Sequence, residues 1–198
     1  MSMAFHSLQH STLNGKVRYA HPTQNLPDHV TAQSAALDVM TDLRRTTAVT
    51  TTAHQTIDRA LQEMINIGVR MLLVEDHEGL VIGLITATDI QGDKPMRFVK
   101  ESGHKHDDVE VKDIMTSLNQ VEAIRLAEVE RSHVGDIVTT LTQSGRQHAL
   151  VIDESQEEGS TIVVGIFSTT QISRQMGIAI SPSEKPQTFT ELESAIAG

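Results

Sequence analysis

The chain has 198 residues, enough to bury a sizeable core as one domain or as two small ones packed together. Its 16 basic against 26 acidic residues leave a net charge of −10, which argues against a nucleic-acid partner, because proteins that bind phosphate backbones present a basic face. No cysteine is present, so disulfides, thiolate nucleophiles and cysteine zinc sites are excluded; with aromatics at 3%, the core has to be aliphatic.

The first residues, Met1-Ser2-Met3-Ala4-Phe5-His6, carry no basic stretch followed by an apolar one, so no secretory signal is expected. The longest apolar runs, Leu80–Ile85 and Ile162–Phe167, are six residues, far short of a membrane span. No membrane insertion and a cytoplasmic location are the corresponding expectations. Residues 1–35, rich in Ser, Thr, Gln and His, read as an extended lead-in.

Beyond residue 35 the chain repeats itself. Asp38-Val39-Met40-Thr41 returns as Asp113-Ile114-Met115-Thr116, 75 residues later. Ile57, Ala60, Leu61, Met64 and Ile65 then mark one apolar face of a helix, and Val134, Ile137, Val138 and Leu141 repeat it at an offset of 77. A glycine follows each helix, Gly68 and Gly145, where the left-handed conformation ends it at least cost. The strand Met71-Leu72-Leu73-Val74 matches His148-Ala149-Leu150-Val151. The run from Leu80 to Ile85 matches the run from Ile162 to Phe167 after five extra residues in the polar turn Glu154–Gly159. Both runs are apolar without alternation, as strands covered on both faces should be. A short helix is expected after each, starting at Thr86 and at Ser168.

Each unit therefore reads β-α-β-β-α, preceded by its Val/Ile-Met-Thr segment, and the fold class is α+β. A unit of about 60 residues buries little alone, so the two copies are expected to pack sheet against sheet. The expected division is an N-terminal extension at 1–35, a first domain at 36–95, an exposed charged linker at 96–110, a second domain at 111–177 and a tail at 178–198. In the tail, Thr188 to Glu191 has capping-box spacing ahead of Leu192, Ala195 and Ile196, which predicts a short helix.

Chemistry concentrates where the last strand of the first unit enters its helix, Gly83-Leu84-Ile85-Thr86-Ala87-Thr88-Asp89. A glycine inside a buried strand marks a place where something approaches closely. Thr86 and Thr88 offer hydroxyls at a helix start, where free amides favour an anion, and the Asp89 carboxylate can accept two hydrogen bonds from a vicinal diol such as a ribose. A second reading stands beside this one: Thr86 with Asp89 three residues on is also a helix cap with an acidic first turn, and Ser168 with Gln171 is the same box in the second unit. The two are compatible.

Other candidates are weaker. His104-Lys105-His106-Asp107-Asp108 groups imidazoles and carboxylates, but in a linker without a scaffold, so a solvated loop is expected rather than a metal site. His148 stands at an apolar strand position and reads as a core or cleft-edge histidine. Glu157-Glu158 lie in a turn, and no nucleophile is seen with a base and an orienting group. Neither a catalytic residue nor a catalytic cofactor is assigned, and the chain is not expected to be an enzyme.

The ordered set Val-Met-Thr, amphipathic helix, Gly-Val-Arg, Leu-Leu-Val strand and Gly-x-x-Thr-x-x-Asp, present twice over residues 36–177, resembles the cystathionine-β-synthase (CBS) domain, which in tandem forms a Bateman module. The resemblance implies a pseudo-symmetric pair of domains, a homodimer of such pairs stacked as a disc, and an adenine nucleotide (AMP, ADP or ATP, or else NAD or S-adenosylmethionine) in a cleft between domains. Carried over by motif, Asp89 takes the ribose hydroxyls and Thr86 contacts ribose or phosphate. Val69, Arg70 and Met71 border the base, and Met40 and Thr41 lie near the same cleft; Arg44 and Arg45 add positive charge. In the second unit Ser168 keeps the hydroxyl, but Gln171 replaces the aspartate and Gln147-His148 replaces Arg70-Met71. One competent site per chain, centred on Asp89, is expected, with a weak or empty second one. The implied function is a regulatory module that signals nucleotide occupancy to an unidentified protein; the alternative is a nucleotide-independent interaction module with vestigial clefts.

Overall fold

In the computed structural model, residues 24–154 and 161–180 are described. The expected helix at 188–196 and most of the 154–159 turn lie outside them. After a 3-10 turn at Ala36–Val39 come β1 (Thr41–Asp42), β2 (Thr50–Thr52), α1 (Ile57–Ile67), β3 (Met71–Glu75), β4 (Val81–Thr86), α2 (Ala87–Gln91) and α3 (Lys94–Ser102). The second half gives α4 (Val111–Ile114), β5 (Thr116–Ser117), β6 (Ala123–Arg125), α5 (Leu126–Val129), α6 (Val134–Ser144), β7 (His148–Asp153), β8 (Ile162–Ser168) and α7 (Thr169–Met176). The repeated β-α-β-β-α order is present in both halves. Gly68 and Gly145, at φ 79° and 66°, end α1 and α6 in the left-handed conformation.

The strands form two four-stranded mixed sheets, ordered β2-β3-β4-β5 and β1-β8-β7-β6. Their side chains explain the unbroken apolar runs. Along β3, Leu72 and Val74 point into a core beneath α1 and α2 with Ile57, Ala60, Met64 and Ile85, while Met71 and Leu73 point the other way. In the second half Val151, Val164 and Phe167 pack with Val134, Ile137, Leu141 and Ile172, while Leu150 turns away from them. Met71, Leu73 and Leu150 meet between the sheets, joined by Leu84, Val163 and Ile166. The two units thus share a sheet-on-sheet core and each keeps a helix-on-sheet core. Each fully buried Leu contributes roughly 1.5–3 kcal/mol from burial.

The Met-Thr segments cross between the units. β1 pairs antiparallel with β8, Thr41 opposite Ile166 and Asp42 opposite Gly165. β5 pairs antiparallel with β4, Leu84 opposite Thr116 and Gly83 opposite Ser117. Each segment precedes one unit in the chain and completes the sheet of the other. Glycine makes room for the crossing: a Cβ on Gly83 would lie 2.6 Å from the Thr116 carbonyl oxygen and 3.2 Å from Met115 Sδ, and one on Gly165 would lie 2.6 Å from Met40 Sδ. What approaches these glycines is the exchanged strand.

The stretch after α2 departs from the expected linker, because residues 94–102 are helical. Pro95 starts α3 and is buried, and Phe98 and Val99 pack on the first helix core. Proline at the first turn costs no hydrogen bond and presets φ, and spacing three and four residues on gives the helix one apolar edge. Of the remaining linker residues, 103–108 are exposed, whereas Val109 is fully buried in the first helix core and Glu110 is half-buried.

Candidate functional site

Between the two units lies a cleft of about 490 Å³, lined on the first side by Leu84, Thr86, Thr88 and Asp89 with Thr116 of the exchanged strand, and on the second by Val121, Glu122, Arg146, Gln147, His148 and Leu150, with Gly145 at the turn. A volume in this range suits a small organic ligand. Leu84, Val121 and Leu150 supply apolar wall; the remaining side chains carry hydroxyl, carboxylate, amide, guanidinium and imidazole groups.

Thr86 ends β4 in extended conformation and caps α2. Its hydroxyl accepts from the Asp89 amide at 3.2 Å, while Asp89 Oδ2 accepts from the Thr86 amide at 2.9 Å and from the Thr86 hydroxyl at 2.7 Å. The capping reading of the motif therefore holds in the structure, and the same box aims Asp89 at the cleft. Asp89 Oδ1 is held by Lys94 Nζ at 2.7 Å. Thr88 reaches across, its hydroxyl donating to Gln147 Oε1 at 3.1 Å.

From the opposite unit, Arg146 follows the glycine that ends α6, and its guanidinium faces Glu122 at 3.6 Å. Glu122 is exposed and Arg146 half-buried, its other contact being a 3.5 Å donation to the Gln120 carbonyl, so the guanidinium is only lightly held and an anion can compete for it. His148 opens β7. Its Nδ1 is shut off from solvent and has no hydrogen-bond partner among the described residues. Burial, first, and the charge of Arg70, second, push its pKa down to about 4, against a smaller opposing pull from Asp89. The imidazole is therefore neutral near pH 7, able to donate from one ring nitrogen and accept at the other.

Met40 and Thr41 do not lie beside Asp89. The crossing carries them to the second sheet, where Met40 is 1% exposed against Gly165 and Thr41 donates its hydroxyl to Gln171 Oε1 at 3.4 Å. Thr116 takes their place. Val69, Arg70 and Met71 are likewise absent from the walls: Val69 packs on the first helix core, Met71 is buried between the sheets, and Arg70 is exposed. Their counterparts Arg146, Gln147 and His148 stand there instead, because facing sheets bring each unit's glycine turn over the other unit's cap. Arg44 is held in a bidentate pair by Asp42, with contacts of 2.8 and 2.9 Å. That pairing holds the Asp42 carboxyl below its ordinary pKa.

On the second side Ser168 lies across the strands from His148. It makes no side-chain cap bond, and the expected Ser168–Gln171 box is not formed. Gln171 turns to β1 instead, accepting from Thr41 and donating to the Val39 carbonyl at 3.4 Å. An amide can serve two such partners at once, which a carboxylate cannot.

The linker candidates separate. His104 stacks on Phe98 with ring centroids 5.7 Å apart, whereas His106 and Asp107 approach Asp58, with ligand atoms within 4.8 Å of one another. All three of the latter are exposed, and exposed acidic groups commonly gather without an ion.

Residues 36–92 match the family model for the CBS domain. No curated protein matches the chain by sequence. Among solved structures, an uncharacterized conserved protein from Pyrococcus horikoshii is 22% identical over 72% of this chain and 92% of its own, with a TM-score of 0.51. The CBS-domain containing protein ATU1752 from Agrobacterium tumefaciens is 21% identical over 76% and 98%, with a TM-score of 0.50. More distant in shape is the CBS-pair protein CBSX2 from Arabidopsis thaliana, solved in complex with AMP, at 16% identity over 72% and 94% and a TM-score of 0.47. At these identities the likeness is one of fold. Residues 36–92 are therefore similar to the CBS domain, and the facing unit repeats the same construction.

Proposed function

We propose that the cleft at Asp89 receives an adenine nucleotide and that the chain is a regulatory binding module, not an enzyme, passing occupancy to another protein. The observation that carries this reading is the convergence of a carboxylate (Asp89), three hydroxyls (Thr86, Thr88, Thr116) and a weakly engaged guanidinium (Arg146) on one aliphatic-walled cleft. A carboxylate suits vicinal hydroxyls, a guanidinium suits phosphate, and Leu84, Val121 and Leu150 suit the faces of a base. His148, with Nδ1 buried, offers its other ring nitrogen for the edge of that base. Because the cleft is walled by both units, a ligand that fits one spacing of the sheets better than another shifts the equilibrium between them, and that differential affinity is the signal.

Thermal unfolding with AMP, ADP, ATP, NAD and S-adenosylmethionine tests the reading. Ligand at about 100 times its dissociation constant stabilises by roughly 2.7 kcal/mol, and a flat response to all five would count against it. A nucleotide-independent interaction module is the second reading, favoured by the contacts already made by Asp89 with Lys94 and by Thr88 with Gln147. A partner captured equally with and without nucleotide would support it. The homodimer implied by the family resemblance is checked by light scattering, which should return twice the chain mass. Among the described residues no helix is long and apolar enough to cross a membrane.

A further inference from the structure

Asp89 carries three donors. Two come from Thr86 to Oδ2 and belong to the cap of α2. The third is the Lys94 ammonium on Oδ1, at 2.7 Å. It is also the donor least tied to the backbone, standing on a flexible four-carbon stem at the start of α3. The same ammonium donates to the Ile114 carbonyl at 3.2 Å, one residue before the Met115–Thr116 crossing that fills Gly83 and lines the cleft. One side chain therefore joins the acid of the cleft, the helix after the first unit and the end of α4 that leads into the exchanged strand.

We propose that Lys94 is a displaceable internal occupant of Asp89: it holds the oxygen that a ligand diol needs, and its displacement loosens the tie between α3 and the end of α4, just ahead of the exchanged strand. This rests on the diol-binding reading of Asp89. A carboxylate already holding three donors has little capacity left for two hydroxyls, and Oδ2 cannot be vacated without opening the cap. Oδ1 can be vacated, because the lysine side chain is 33% exposed and water can receive its charge. Binding at the cleft and the tie of α3 to the end of α4 then compete for one side chain. Tighter ligand means looser α3, and the reverse holds by linkage.

Calorimetric titration of the full chain and of Lys94→Met with AMP and with adenosine tests this, with Lys94→Gln as a second variant should the first fail to fold. Adenosine is the cleaner probe, having the diol without a phosphate that a lysine would attract. Removing the competitor should tighten adenosine binding about twofold to fivefold, the scale of a partly exposed ion pair. Hydrogen exchange supplies the second readout. Residues 94–102 and 114–117 should lose protection when AMP saturates the unsubstituted chain and show no further loss in Lys94→Met. Adenosine binding that is unchanged or weaker in both variants, while the unsubstituted chain still binds AMP, would overturn the proposal and leave the nucleotide reading standing. Failure of every chain to bind either compound would overturn both.

Discussion

Met40 occupies the space that a side chain at residue 165 would need: a Cβ on Gly165 would sit 2.6 Å from Met40 Sδ and 2.9 Å from its Cγ. The same relation holds in the other half, where Gly83 admits Met115 and the Thr116 backbone. These two contacts lock the exchanged strands β1 and β5 into the sheets they complete.

Alanine at either glycine should therefore destabilise, and unequally. At Gly83 the obstacle is the Thr116 carbonyl, part of a hydrogen-bonded ladder, so Gly83→Ala should cost about 2–3 kcal/mol. At Gly165 the obstacle is a side chain, buried but able to change rotamer, and Gly165→Ala should cost about 1–2 kcal/mol. Urea unfolding measures both; negligible losses would show that the crossings tolerate a methyl, and equal losses that the kind of obstacle does not matter.

His148 makes stability depend on pH. Its folded pKa of about 4 lies below the ordinary 6.5, so between these values the unfolded chain binds a proton that the folded chain does not. The associated stability is complete above pH 6.5 and is lost as the pH falls toward 4, about 2–3 kcal/mol by the lower end. Other groups titrate over the same window, so the informative quantity is the difference from His148→Leu. That difference should shift by the stated amount in favour of the variant as the pH is lowered from 7 to 4.5, as read from urea midpoints.

Gln171 should act on stability and not on binding. Its amide spans the Thr41 hydroxyl and the Val39 carbonyl, both at 3.4 Å, and Gln171→Ala should cost about 0.5–1.5 kcal/mol in urea unfolding. Gln171→Asp should not create a second nucleotide site, since a carboxylate would face the Val39 carbonyl. A calorimetric stoichiometry of two in that variant would contradict this.

The repeat was legible because it is written in local patterns: the 3.6-residue spacing of Ile57 to Ile65, the glycines ending α1 and α6, and the unbroken apolar strands. The crossing was not. Pairing Thr41 with Ile166 depends on two sheets meeting face to face, and no local spacing encodes a contact 125 residues apart. The sequence marked Gly83 as a place of close approach without showing that what approaches is a strand. α3 was hidden by its charged residues and is anchored through Pro95, Phe98 and Val99. In the site, Thr86, Thr88 and Asp89 were legible as one motif. Thr116, Arg146 and His148 come from the other copy; the one signal for them was the cation just after Gly145, where the first unit has Val69.

The central claim is a single diol-binding acid per chain, and titration calorimetry of AMP into the unsubstituted chain, Asp89→Ala and Gln171→Ala tests it most directly. Asp89→Ala also removes a cap worth about 1 kcal/mol of stability, so circular dichroism must first establish that it is folded. One site per chain is predicted, weakened by about 1.5–3 kcal/mol in Asp89→Ala and unchanged in Gln171→Ala. Equal weakening in the two variants, or two equivalent sites in the unsubstituted chain, would contradict it.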